Sequence, residues 1–320
     1  MISHAWLAFV LPVVLSLLLY PPYIRMMQRL SWGQEIRPEG PEDHLSKKGT
    51  PTMGGAVVLV TYLATLWFIG CTSLPVLVLM AVTMAHAGLG FADDWTKIAK
   101  KRSLGLKARQ KTAAQVVIGL LLGAVAVQMQ PDAPVWIPWF GWVGSPLVRV
   151  ALAVLVVAAT SNAVNLTDGL DGLAAGTTGC AFLAYIPLCL AAHEPSLALA
   201  CVAMVGGLAG FLWFNAFPAR IFMGDTGSLA LGAALATLGV LTHTEFLLVV
   251  IGGVFVMEAV SVILQVGYFK MTGGKRIFRM APIHHHFCKG GLHEVQVTTR
   301  LWVTGAVLAA VALALWFGTW

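Results

Sequence analysis

Ten apolar stretches, each close to the length that crosses a lipid bilayer, dominate this 320-residue sequence. They fall at roughly 4–24, 53–71, 74–92, 112–129, 147–164, 173–192, 196–214, 226–243, 246–268 and 301–319. A helix needs about 20 apolar residues to span the hydrocarbon core. In that core every backbone N–H and C=O must be paired within the protein, so spans are helices or strands of a closed barrel. None of these runs alternates apolar and polar residues as barrel strands do. The predicted fold is an all-α integral membrane protein of about ten transmembrane helices, one polytopic domain over residues 1–320. Charge supports this: charged residues are 11% of the chain, against about a quarter in soluble domains. So few cannot hydrate the surface of a globule this size.

The charges that remain are one-sided. If the spans alternate in direction, the loops after the first, third, fifth, seventh and ninth hold nineteen of the twenty Lys and Arg, counting Arg300 at the last border. Only Arg149 lies opposite. Cytoplasmic loops carry the excess of Lys and Arg, so these loops are predicted to be cytoplasmic and both termini periplasmic. The isoelectric point near 9.2 then reports topology, and no nucleic-acid partner is implied. The first run lacks a basic leader and a small-residue cleavage site, and its cations Arg25 and Arg29 follow it. It is expected to stay as a helix. The five cysteines have no metal-ligand spacing and read as small buried hydrophobes. Trp136, Trp139 and Trp142, between the fourth and fifth spans, read as an interfacial anchor.

Five aspartates on the predicted cytoplasmic side sit close to helix ends. Asp93 and Asp94 close the third span, Asp168 and Asp171 lie within Asn162 to Gly172, and Asp225 lies in Phe222-Met223-Gly224-Asp225-Thr226-Gly227-Ser228. A single acid in such a place ordinarily caps a helix or marks the interface. Five, among glycines that let backbone amides approach a ligand, point to chemistry. Carboxylates repel phosphates unless a divalent cation lies between them, and Mg²⁺ commonly binds one or two carboxylates together with substrate phosphates. A magnesium-dependent phosphate site is the economical interpretation. Helix N-termini after Asp171 or Asp225 would offer amides to an anion. Lys47 and Lys48 precede the turn Gly49-Thr50-Pro51-Thr52, and seven further cations from Lys97 to Lys111 lie between the third and fourth spans. Most of those seven are explained by topology and by attraction to anionic lipid.

Two features stay open at this level. His284, His285 and His286 are consecutive, so they cannot all face one metal from regular structure; phosphate binding or proton handling suits them better than zinc. Glu258 is an acid deep inside an apolar span. It either faces the bundle interior or marks a functional site.

The segments Lys47 to Gly55, Phe91 to Asp94, Asn162 to Gly172, Phe222 to Ser228 and Met280-Ala281-Pro282-Ile283-His284-His285-His286-Phe287 resemble the phospho-N-acetylmuramoyl-pentapeptide transferases. These are bacterial enzymes of the first membrane step of peptidoglycan synthesis. The likeness runs in order from about residue 20 to residue 300. The aspartate motifs alone would suit the wider polyprenyl-phosphate sugar-phosphate transferases; the Ala-Pro-Ile-His-His-His block points to this branch. The resemblance implies transfer of phospho-MurNAc-pentapeptide from UDP-MurNAc-pentapeptide to undecaprenyl phosphate, forming lipid I and releasing UMP. It also implies Mg²⁺, a homodimer, and an active site on the cytoplasmic face of the bacterial inner membrane. A sibling transferase for another UDP-sugar, or a secondary transporter, is the alternative; no internal repeat of the transporter kind is visible.

Position by position, the resemblance makes Asp225 the magnesium ligand, with Asp93, Asp94, Asp168, Lys47, His284 and His285 in catalytic places. It puts Asn165, Asp171, Asn215, Phe222 and Gln265 near the nucleotide, and Lys111 and His286 on the substrate side. The sequence departs from the family at Cys288, where an acid is common, at Leu292, where Trp is common, and at Trp95, where Tyr is common. Both a direct displacement by the lipid phosphate and a covalent aspartyl-phosphate route fit these residues.

Overall fold

A computed structural model describes residues 2–30, 32–33, 49–100, 102, 104–137 and 140–318. The helices are α1 (Ile2–Arg29), α2 (Gly55–Phe68), α3 (Leu74–Ala99), α4 (Ala108–Met129), α5 (Pro146–Thr167) and α6 (Leu173–Ala191), followed by α7 (Pro195–Asn215), α8 (Gly224–Leu241), α9 (Glu245–Ile251), α10 (Gly253–Met271), α11 (Ile283–Cys288) and α12 (Glu294–Gly318). Among the described residues, nine helices are long and apolar enough to cross a membrane. The chain is thus a multi-pass, mostly helical membrane protein.

The predicted ten spans differ from this in two places. The second shrinks to the 14 residues of α2, about 21 Å at 1.5 Å per residue. Its predicted start is instead a turn at Met53, with φ +62°. The ninth breaks at Gly252 into α9 and α10. Hydropathy is continuous across both places, so a sequence window could not see the breaks. α3 continues to Ala99, seven residues beyond the predicted end at 92. Asp93 and Asp94 therefore lie within the helix, where Asp93 pairs with Lys97 one turn on.

α8 is the hub. Every residue from Thr226 to Leu241 is buried, and α3, α5, α2, α6, α9 and α4 pack around it. Lipid supplies no hydrophobic drive between helices, so close packing of small residues does the work. Gly90 of α3 shows how close: a Cβ there would lie 2.1 Å from the carbonyl oxygen of Asp225. On α4, Gly119 and Gly123 meet α5 so tightly that added Cβ atoms would lie 2.7 Å from the Cα atoms of Val154 and Val150. Pro75, Pro146 and Pro195 open α3, α5 and α7, where a missing N–H costs nothing.

Between α4 and α5 the chain forms a short antiparallel hairpin, β1 (Val135–Ile137) against β2 (Gly141–Val143), with Trp136 opposite Trp142. The sequence reading has a loop there; three-residue strands are too short to register as a pattern. Both indoles are exposed, as the anchor reading expects, and Trp139 lies outside the described residues. Arg149, the lone Lys or Arg at this end among the described residues, is buried. Its guanidinium donates to the carbonyls of Ala126, Gln130 and Pro131, adding a side-chain donor at the C-terminus of α4, where Ala126 and Gln130 also accept from backbone N–H groups.

Candidate active site

Antiparallel connections bring the C-terminal ends of α3, α5 and α7 and the N-terminal ends of α4, α6 and α8 to the same end of the bundle. Three carboxylates from two of these helices meet there. Asp93 and Asp94 of α3 and Asp225 of α8 each offer an oxygen within 4.8 Å of the others. The close approach of α3 and α8 at Gly90 makes this meeting possible.

Each acid is held differently. Asp94 caps α8 from a neighbouring helix: its Oδ2 accepts from the N–H of Thr226 at 2.9 Å and its hydroxyl at 2.8 Å, and Oδ1 accepts from the N–H of Asp225 at 3.2 Å. Gly224, with φ +75°, makes room, since a Cβ there would lie 2.7 Å from Asp94 Oδ2. Asp93 accepts from the N–H of Leu106 at 2.7 Å, which folds the α3–α4 connection back over the site. Asp225 stands in the first turn of α8 and is the most accessible of the three.

Two lysines thread the cluster. Lys111 Nζ lies 2.7 Å from Asp225 Oδ2 and 2.9 Å from Asp93 Oδ1. Lys97 Nζ lies 2.7 Å from Asp93 Oδ2 and 3.0 Å from Asp225 Oδ1. Three carboxylates against two ammonium groups leave one negative charge. Asp168, just past the end of α5, borders this field. Burial first, then the charges of Asp225 and Asp94, push its carboxyl up to about 8. It therefore keeps its proton at neutral pH until positive charge arrives. The donor set fits a divalent cation: hard carboxylate oxygens in close proximity, with charge left uncompensated.

The chain's relatives agree with this chemistry. Residues 76–243 match the family described as Glycosyl transferase family 4. The phospho-N-acetylmuramoyl-pentapeptide-transferase of Frankia casuarinae is 44% identical, covering 97% of this chain and 96% of its own. That of Geobacillus kaustophilus is 46% identical over 96% and 94%, and that of Bacillus licheniformis 45% over 94% of each. The chain belongs to the phospho-N-acetylmuramoyl-pentapeptide transferase family.

The other positions carried by the resemblance make contacts of their own. Asn165 donates to Ser228 Oγ at 2.8 Å, on the opening turn of α8. Asp171 accepts from the N–H of Ala219 at 2.9 Å, while its own N–H donates to Glu294 at 2.7 Å. Asn215 is buried and bridges the N–H of Gly172 to the carbonyl of Ile221. Gln265 clamps the segment after α10, accepting from the N–H groups of Ile277 and Phe278 and donating to the Phe278 carbonyl. These four side chains brace the loops around the site. The amides of Asp225 and Gly172, considered for an anion from sequence, are already taken by Asp94 and Asn215.

Phe222 lies against the Gly-Thr-Pro-Thr turn: its N–H donates to the Pro51 carbonyl, and its own carbonyl accepts from Gly54 N–H, both at 2.8 Å. Lys47, two residues before that turn, lies outside the described residues. The three histidines of α11 part company. His284 is buried against Glu258, His285 packs edge-on to His284, and His286 Nδ1 accepts from the N–H of Arg279 at 3.1 Å. Of the departures, Trp95 packs with Trp32 and Phe91, and Cys288 and Leu292 join a small apolar cluster with Leu170, Leu173 and Val297. All three side chains make apolar or aromatic contacts.

Lys97 and Thr226 were not singled out from sequence. With the longer α3, the Asp93–Lys97 spacing of four is the signal that would have raised Lys97. Thr226 acts only through the fold, and no local pattern marks it.

Proposed function

We propose that this protein transfers phospho-MurNAc-pentapeptide from UDP-MurNAc-pentapeptide to undecaprenyl phosphate at the cytoplasmic face of a bacterial inner membrane. The products are lipid I and UMP. The observation that carries this reading is the Asp93–Asp94–Asp225 cluster, threaded by Lys97 and Lys111, at one end of a membrane bundle. Relatives named for this transfer cover nearly the whole chain. The one-sided Lys and Arg support a cytoplasmic position for that end, with both termini outside. The substrates demand such a place, since one phosphate is anchored in lipid and the other belongs to a large water-soluble nucleotide. The chain works as one domain, and as a homodimer in keeping with the family resemblance.

Asp225, with Asp93 and Asp94, would hold Mg²⁺, which when bound supplies charge neutralisation for the pyrophosphate and the departing UMP. The protein's own groups do the rest. Without the cation the five charged groups sum to minus one and repel a pyrophosphate; with it they sum to plus one and attract it. Lys111 and Lys97, released from full engagement with the acids, lie ready to meet phosphate oxygens, and Lys47 adds to them. Asp94 is committed to the amides of α8, so it fixes Asp225 rather than moving protons. Asp93 takes any proton left on the lipid phosphate, whose second pKa near 6 leaves it largely dianionic at neutral pH. A single in-line displacement then needs mainly positioning and charge compensation. Asn165, Asp171, Asn215, Phe222 and Gln265 shape the nucleotide side, and His284, His285 and His286 the sugar-phosphate side.

The test is UMP release from the uridine-linked precursor by purified protein in detergent with undecaprenyl phosphate and Mg²⁺. Absence of product from well-folded protein would sink the reading. Faster turnover with a different UDP-sugar in competition would reassign it to a sibling reaction. Inversion at phosphorus supports single displacement, and net retention would replace it with an aspartyl-phosphate route.

A further inference from the structure

Glu258 sits in α10 with its side chain fully buried. An acid at such depth persists only with a partner. The partner is His284: the same oxygen, Oε2, lies 3.0 Å from Nδ1 of the ring and 3.3 Å from the backbone N–H. The ring is itself fully buried. Its other nitrogen, Nε2, has no hydrogen-bond partner among the described residues. That nitrogen abuts the α5–α6 loop, since a Cβ added at Gly169 would lie 2.2 Å from it. Gly169 follows Asp168, so the free ring edge faces the rim of the acid cluster.

A pair present only for stability would be expected to satisfy its polar atoms, because a buried one left unpaired is destabilising. Here Nδ1 is anchored, while Nε2, like Oε1 of Glu258, is left without a partner among the described residues. We propose that Glu258 is a positioning residue: its carboxylate takes the Nδ1–H of His284, fixing the ring and aiming Nε2 at a substrate phosphate oxygen. The inference rests on the transfer proposed above and deepens it. A carboxylate at Nδ1 selects the tautomer and fixes the plane of the ring. Nε2 is then the ring atom left to share a single proton with a phosphate oxygen. Only glycine at 169 leaves space for the ring edge.

The experiment uses the full-length protein labelled with ¹⁵N-histidine in detergent, with His284→Asn identifying the ring signals. Wild type should show His284 with Nδ1 protonated, and Glu258→Gln should lose that preference. In UMP-release assays with undecaprenyl phosphate, Glu258→Gln should lower kcat about 10- to 100-fold, as loss of an orienting partner does, with KM for the uridine-linked substrate changed less than about threefold. In a His284→Asn background the same change should cost nothing further. An unchanged ring signal in Glu258→Gln, or losses that multiply, would overturn the inference. If Glu258→Gln fails to fold, Glu258→Asp decides. It should keep the tautomer with partial kcat, and a lost tautomer with full kcat would overturn the proposal. The ring signal needs no turnover, so an inactive wild type would sink the proposed reaction and leave the positioning test standing.

Discussion

At the end of the bundle where α3 finishes and α8 begins, Asp93, Asp94, Asp225, Lys97 and Lys111 share their hydrogen bonds among one another and with three amides and the Thr226 hydroxyl. At the end where α4 finishes and α5 begins, Arg149 donates to the backbone carbonyls of residues 126, 130 and 131. Both ends put charge out of water, yet they use it differently. Arg149 is engaged with a helix terminus rather than with other charged side chains of a cluster. The acid cluster is overfilled with one sign, and Asp168 is held neutral beside it. A functional end therefore differs from a structural one by leaving electrostatic work undone, not by carrying more ions.

The contrast can be broken by experiment. Asp225→Asn should cost about 10³-fold in turnover, the scale of removing a stabiliser of developing charge, with an unchanged melting temperature in detergent. Ordinary activity would dissolve the functional end. Next in size is a proton linkage at Asp168. Its folded-state pKa of about 8 means that below pH 8 a proton must leave before the site can accept more positive charge. Affinity for Mn²⁺, used as a spectroscopic probe, should tighten with rising pH by up to about tenfold per unit between pH 6 and 8, then level off. Asp168→Asn should flatten that slope, and an unflattened one would assign the proton elsewhere.

Lys111→Met should lower turnover about tenfold to a hundredfold, while weakening Mn²⁺ binding little, because the ammonium repels the cation it would sit beside. A variant that binds Mn²⁺ more weakly and keeps its kcat would recast Lys111 as scaffold. At the other end, Arg149→Met should leave kcat within about twofold yet lower stability by about 2–3 kcal/mol, since the buried charged donor's bonds to three carbonyls are lost. Chemical unfolding in detergent measures the stability loss, and a lost activity with normal stability would show that this end too is functional. Smallest of all, Trp142→Ala should change neither turnover nor stability by more than about 0.5 kcal/mol, as for an exposed surface position.

Much of this was legible in the chain itself. Ten apolar runs announced a membrane bundle, and eight of them correspond to single unbroken spanning helices. The motifs around Asp93, Asp168 and Asp225 announced phosphate chemistry and the family. What stayed hidden has a common cause. Gly252 interrupts a helix without interrupting hydropathy, and α3 outlasts its apolar run because Asp93 and Lys97 pair along it. A hydropathy window registers neither event.

Hydropathy and charge bias act over twenty or so residues, so the linear chain alone was enough for the membrane class, the one-sided charge and the stock of reactive groups. Which acids meet, and what each is free to do, depends on contacts across more than a hundred positions. Asp94 caps a helix that begins 130 residues later, at Gly224, and Glu258 in one span finds His284 beyond its end. Such pairings arise from the backbone approach at Gly90 and Gly169. They turn on ångström-scale packing, which no local pattern of residues encodes.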